Sequence, residues 1–136
     1  MRILGIDYGE KRIGLAISDP LGFTAQGLET ILNRGNRQFL AELSKICKDS
    51  QVGEIVIGLP INMNGSRGPK AEEVLKLIPL VEKETGLPVK TWDERLTSRE
   101  AGRLMIKEGL SRERRKQNSD RLAATLILQS FLESRR

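Results

Sequence analysis

Three acidic positions hold most of the chemistry this sequence can offer. Asp7 ends the apolar run ILGI, the pair Asp93–Glu94 sits in TWDERLTS, and Asp120 sits in NSDRLAATLILQSFL. The chain contains no histidine and a single cysteine, Cys47. Serine or cysteine nucleophiles activated by histidine are therefore excluded, as are the usual zinc sets built from several Cys and His. Carboxylates that converge without a cation repel strongly, by about 4 kcal/mol for each pair at about 4 Å in a dielectric near 20. Either one acid holds a proton or a hard divalent cation binds, and all-oxygen ligation suits Mg²⁺ or Mn²⁺. One ion, or two about 3.5–4 Å apart, would activate an attacking water and stabilise a leaving oxygen. Each acid also has a plain alternative: Asp7 as a turn residue before Gly9, Asp93–Glu94 in surface pairs with Arg95 or Arg99, and Asp120 as a complement to a helix dipole.

The elements that must position these acids follow from periodicity. Residues 2–7 and 12–18 read as strands joined by a tight connection at Gly9–Lys11, and a third strand over 24–30 follows the DPLG turn. These three are expected to be antiparallel. Residues 36–49 have helical apolar spacing, with Cys47 on the apolar face formed by Phe39, Leu40, Leu43 and Ile46. EIVIGL (54–59) reads as a buried parallel strand. A helix over 69–85 opens on Pro69 and is expected to kink or break at Pro79. PVKTW (88–92) is a further strand, TSRE opens a helix to about 108 that Gly109 ends, and a last helix covers 119–134. The expected fold class is α/β: a mixed sheet with helices on its faces. Ligands in such sheets bind beyond the carboxyl ends of the strands, which is where Asp7, Leu59 and Asp93–Glu94 fall.

With 136 residues, 38% apolar and 30% charged, the chain reads as one domain over 1–136. No apolar run approaches the roughly 18 residues that span a bilayer, and the N-terminus has a strand pattern in place of a secretion signal, so a cytoplasmic location is expected. The net charge of +5 favours an anionic partner. Lys11 and Arg12 lie close to Asp7. Arg95, Arg99, Arg103 and Lys107 recur every four residues, and Arg114 and Arg115 belong to a second basic patch just before Asp120. The loop LPINMNGSRG adds Asn62, Asn64 and Ser66 as small polar contacts. Aromatic content of 4% argues against a base-stacking platform, and Trp92 is assigned to the core. These features point to nucleic acid read through its backbone and shape.

Four segments in this order, GIDYGEKRIGLAISD, IVIGLPINMNGSRG, DERLTSREA and DRLAATLILQSFL, resemble the four sequence blocks of the YqgF/RuvX family. The resemblance covers nearly the whole chain. It implies a ribonuclease-H-like fold with a five-stranded mixed sheet whose first three strands are antiparallel, flanked by helices. It also implies a metal-dependent nuclease with Asp7, Glu94 and Asp120 as metal-binding, catalytic acids. Asp93 stands next to them, but adjacent strand residues face opposite sides, and Glu94 is the choice. The implied substrate is the 5′ end of pre-16S rRNA in ribosome biogenesis, or alternatively a Holliday junction. A junction resolvase should be a symmetric homodimer, whereas an RNA trimmer can be a monomer. Two other readings stand beside this one. A non-catalytic ribosome-assembly factor would keep the same fold and basic surface. DYGEKRIGLAISD also resembles the first phosphate loop of sugar kinases and actin-like ATPases, but those need a second similar half that a chain of 136 residues without a repeat does not supply.

Overall fold

The computed structural model describes residues 1–95 and 112–135, with side chains described up to Arg95 and from Arg121 onward. The expected helix ending near 108, with Arg99, Arg103 and Lys107, lies outside the described residues. Strands β1 (Arg2–Tyr8) and β2 (Arg12–Ser18) form an antiparallel hairpin in which Asp7 opposes Gly14. Its turn requires glycine, because a Cβ on Gly9 would stand 2.3 Å from the Arg12 carbonyl oxygen. Asn33 closes the same corner, donating from Nδ2 to the Gly9 carbonyl at 2.8 Å and from its backbone N–H to the Lys11 carbonyl at 2.9 Å.

The expected third strand is two short ones, β3 (Ala25–Gly27) and β4 (Ile31–Leu32), both paired antiparallel with β2. Ala16 opposes Gly27 and Ile13 opposes Ile31, so Gly14 and Leu15 face three residues, Leu28, Glu29 and Thr30. The surplus residue interrupts the ladder as a bulge does. The sheet accordingly has six strands where five were expected. After helix α1 (Asn36–Asp49) come β5 (Val52–Leu59), helix α2 (Pro69–Thr85) and β6 (Val89–Asp93). The order across the sheet is β3-β2-β1-β5-β6, with β4 beside β2, and β5 runs parallel to both β1 and β6.

Helix α2 runs unbroken through Pro79, against the expected interruption. Ala71, Val74, Leu77 and Val81 anchor it on both sides of the proline, and Pro79 itself is exposed. The last helix, α3 (Arg112–Ser134), starts seven residues before the expected 119. Its first turns carry Arg, Glu, Lys and Gln, good helix formers with no apolar stripe to reveal them in the sequence. Among the described residues no helix is long and apolar enough to cross a membrane.

Strand alternation divides the core into two layers. Leu4, Ile6, Ile55 and Ile57 pack against Phe39 and Leu43 of α1 and Val74 and Val81 of α2. Ile3, Ala16 and Val56 point the other way and pack against Ala124, Ile127, Leu128 and Phe131 of α3. That helix comes so close that a Cβ on Gly5 would meet the Leu128 Cβ at 2.9 Å. Trp92 also belongs to this layer, edge-on to Phe131 with centroids 6.0 Å apart. Cys47 is buried in the first layer, where desolvation pushes its thiol up to about 11. It is held there as an inert, protonated core residue.

Candidate functional site

Period-2 alternation places Asp7 on the side of β1 that carries Ile3 and Gly5, the side covered by α3. On β6, Trp92 faces the same helix, and Glu94 follows it two residues on at the strand's carboxyl end. The Glu94 N–H donates to the Leu59 carbonyl at 3.2 Å, which continues the β5–β6 pairing and fixes the backbone there. The two carboxyl groups meet: Glu94 and Asp7 share a side-chain hydrogen bond. What allows this is Gly58, on β5 between them. A Cβ at position 58 would stand 2.8 Å from both Cγ and Cδ of Glu94 and 2.6 Å from Cδ1 of Ile127. The Glu94 side chain thus lies across the bare backbone of the central parallel strand.

Burial, followed by the contact with Asp7 and the charges of Asp7 and Asp93, pushes the Glu94 carboxyl up to about 9, while Lys70 pulls in the opposite direction. At neutral pH Glu94 accordingly keeps its proton, which a hard dication can replace. The shift has a measurable consequence for stability. The folded chain keeps this proton up to pH about 9, whereas the unfolded chain releases it near the ordinary 4.5. Between these values the unfolded state binds fewer protons, so this contribution to stability is complete below 4.5 and is lost as pH rises toward 9. The metal-free protein should lose stability over that window by up to about 1.4 kcal/mol per pH unit at the steepest. Urea titrations between pH 5 and pH 9 should show the decline, and Glu94→Gln should flatten it (a slope unchanged in that variant assigns the effect to another group).

Asp93 is turned away from this pair. Its carboxylate accepts from Nε of Arg95 at 2.8 Å and from the Arg95 backbone N–H at 2.9 Å, and pairs with Nη2 at 2.6 Å. The Arg95 guanidinium holds the Asp93 carboxyl below the usual range. Asp120 belongs to α3 one turn before Ala124, and Ala124 packs over Gly5. The far end of α3 is tied by Arg135 Nη1 to Glu54 at the start of β5, at 2.7 Å, so the helix runs toward the carboxyl ends of β1 and β5 as it is followed back to residue 120. The side chains of Asp120, Arg114 and Arg115 are not among those described. Among the described residues no group of three metal-ligating side chains occurs.

A cleft of about 570 Å³ opens beside the carboxyl pair, bounded by Tyr8, Pro60, Met63, Lys70 and Arg95. Asn62, Asn64 and Ser66 form the hairpin loop on its edge and spend their polar groups on one another. Asn64 Oδ1 accepts from the Ser66 N–H at 2.9 Å and from its hydroxyl at 2.6 Å, and Asn62 Nδ2 donates to the Ser66 hydroxyl at 3.1 Å. Gly65, at φ 87°, supplies the left-handed residue the turn needs. Lys11 is exposed at the β1–β2 turn and Arg12 is half-buried beside it. Gly58 and Lys70 were missed by sequence reasoning. Lys70 had one signal: it is a cation in the first turn of α2, directly after Pro69, where the helix dipole disfavours it.

This arrangement can be compared with known proteins. The family model described as "RuvX: Holliday junction resolvase" matches residues 1–134. The chain belongs to the RuvX family. Relatives include a protein of Clostridium botulinum (strain Hall) named "Putative pre-16S rRNA nuclease", 51% identical over 134 residues, with 98% of each chain covered. A protein of Clostridium kluyveri with the same name is 51% identical over 133 residues, covering 98% of this chain and 97% of the relative. Among solved structures, Thermus thermophilus RuvC in complex with a Holliday junction substrate superposes with a TM-score of 0.61 at 18% identity, covering 99% of this chain and 95% of that one. The fowlpox virus Holliday junction resolvase superposes with a TM-score of 0.61 at 12% identity over the full length of both chains. These structural likenesses identify the fold as that of the ribonuclease-H-like resolvases, in agreement with the family match. Membership in this family makes the chain a hydrolase acting on nucleic acid.

Proposed function

We propose that this protein is a metal-dependent endonuclease that hydrolyses phosphodiester bonds at the 5′ end of pre-16S rRNA. The observation that carries the reading is the hydrogen-bonded carboxyl pair Asp7–Glu94 in a cleft edged by Lys70 and Arg95. The choice of RNA follows the name of the relatives at 51% identity. Asp7, Glu94 and Asp120 would hold Mg²⁺ or Mn²⁺. When bound, such an ion lowers the pKa of water and takes up charge on a phosphate oxygen. Glu94, protonated in the metal-free protein, would release that proton to serve as an anionic ligand. Lys70 and Arg95 hold the phosphate oxygens, and Lys11 and Arg12 take the neighbouring phosphates of the strand. Water adds to phosphorus as the P–O3′ bond breaks, leaving a 5′-phosphate and a 3′-hydroxyl.

The family description favours a second reading, cutting of a Holliday junction, which would need two copies to act on two strands. Incubating the wild type with a 5′-extended 16S rRNA fragment and with a four-way DNA junction separates the two. RNA cleavage in Mg²⁺ or Mn²⁺, abolished by chelator, is the expected result. Cleavage of the junction alone would establish the resolvase, and binding of both without cleavage would leave the assembly-factor reading.

A further inference from the structure

The loop between β5 and α2 projects an apolar side chain that neither the core nor the proposed chemistry employs. Met63 stands 76% exposed at its tip. Other apolar residues are exposed too, Leu21 and Phe23 among them, and scattered exposure alone means nothing. Met63 differs in its place, because it borders the same cleft as Asp7 and Glu94. It also differs in how it is held. Ile61 and Arg67 pair across the base of the loop, the Asn62 N–H donates to the Ser66 carbonyl at 2.9 Å, and the Gly65 N–H returns to the Asn62 carbonyl at 2.8 Å. With the side-chain bonds of Asn64 and Ser66, the tip is fixed before any ligand arrives.

We propose that Met63 is a wedge: it inserts between two bases of the RNA beside the scissile phosphate and unstacks them. This rests on the nuclease reading above. The cleft sets Asp7, Glu94, Lys70 and Arg95, suited to a phosphate and its metal, beside the apolar surface of Tyr8, Pro60 and Ile61. With a nucleic acid bound there, the exposed, polarizable Met63 on its edge meets the face of a base. A pre-ordered tip loses little entropy on insertion, which leaves more of the contact energy to oppose stacking. The consequence for specificity is that the enzyme acts where a base step opens easily and spares continuous duplex, without reading base identity.

The probe is the 5′-extended 16S rRNA fragment carrying 2-aminopurine at one leader position at a time. Fluorescence is read on mixing, in Mg²⁺ and in chelator. The wild type should raise it severalfold at one or two adjacent positions. Met63→Ser should bind the RNA with little loss and give no rise, and Met63→Leu should restore it. On the unmodified RNA, kcat/KM of Met63→Ser should fall roughly tenfold, and an abasic nucleotide at the responsive position should return the variant to wild-type rate. A wild type that raises no fluorescence, or a Met63→Ser variant that still does, overturns the wedge. The fluorescence decides this even if the wild type cuts nothing, an outcome that would instead overturn the nuclease reading.

Discussion

Asp7→Asn should reduce cleavage by about a thousandfold or more while leaving RNA binding intact or tighter. The variant keeps the shape of Asp7 and a hydrogen bond to Glu94, so the fold and the packing under α3 are preserved. On the proposed metal-dependent reading it removes a ligand oxygen from the site that would hold the dication, and several kcal/mol of transition-state stabilisation should go with it. Binding should not fall, because the proposed phosphate contacts belong to Lys70 and Arg95 at the cleft and to the basic surface, and one acidic group has gone. Single-turnover cleavage and filter binding, run on the same RNA, read the two quantities. Equal losses in both would make Asp7 a structural residue. Retained cleavage would remove it from the site altogether.

Gly58→Ala is the second large effect, at a position with no functional group. The new Cβ would collide at 2.6–2.8 Å with Cδ1 of Ile127 and with Cγ and Cδ of Glu94. All three atoms lie beyond the Cβ of flexible side chains, so the chain can accommodate the methyl group by rotating them, and the fold should survive with a stability loss of about 1–3 kcal/mol. The Glu94 carboxyl cannot rotate away and still face Asp7. A displacement of about 1 Å at a reacting centre costs on the order of a hundredfold in rate. The expected outcome is a folded protein, cooperative in thermal denaturation, with cleavage down roughly a hundredfold and a weakened response to Mg²⁺. A variant as active as the wild type would show that Glu94 does not need to lie over β5.

The difference between Asp7 and Gly58 explains what could be read from the residues alone. Asp7, Asp93 and Glu94 announce themselves because charges at the ends of apolar strands are costly without a partner, and period-2 alternation separates Glu94 from Asp93. The layered order of strands and helices follows from the same periodicities, down to helices over 36–49 and 69–85. The use of Gly58 depends on what packs over it, namely a side chain 36 residues away and a helix near the end of the chain, and neither leaves a mark on the local pattern. The split of the third strand is similar: one surplus residue among Leu28, Glu29 and Thr30 shows only once the register with β2 is known. Pro79 misled because an intrinsic helix-breaking tendency was outweighed by four buried anchors. Asn62, Asn64 and Ser66 read in the sequence as small polar contacts in this loop, and the bonds they make to one another, which shape the loop that carries Met63, show only in the fold.

The pairing of the first strand with its neighbours has a consequence for synthesis. β1 can form its hairpin with β2 as soon as both have left the ribosome, but its other edge waits for β5, and Glu94 arrives only after β6. Helix α3, which packs over this face of β1, comes later still in the sequence. Such distant contacts form late, since loop closure must be overcome before they return any stabilisation. A nascent chain therefore displays Asp7 before Glu94 can join it. The Asp7–Glu94 pair is thus absent from any chain that has not yet closed β6 onto β5.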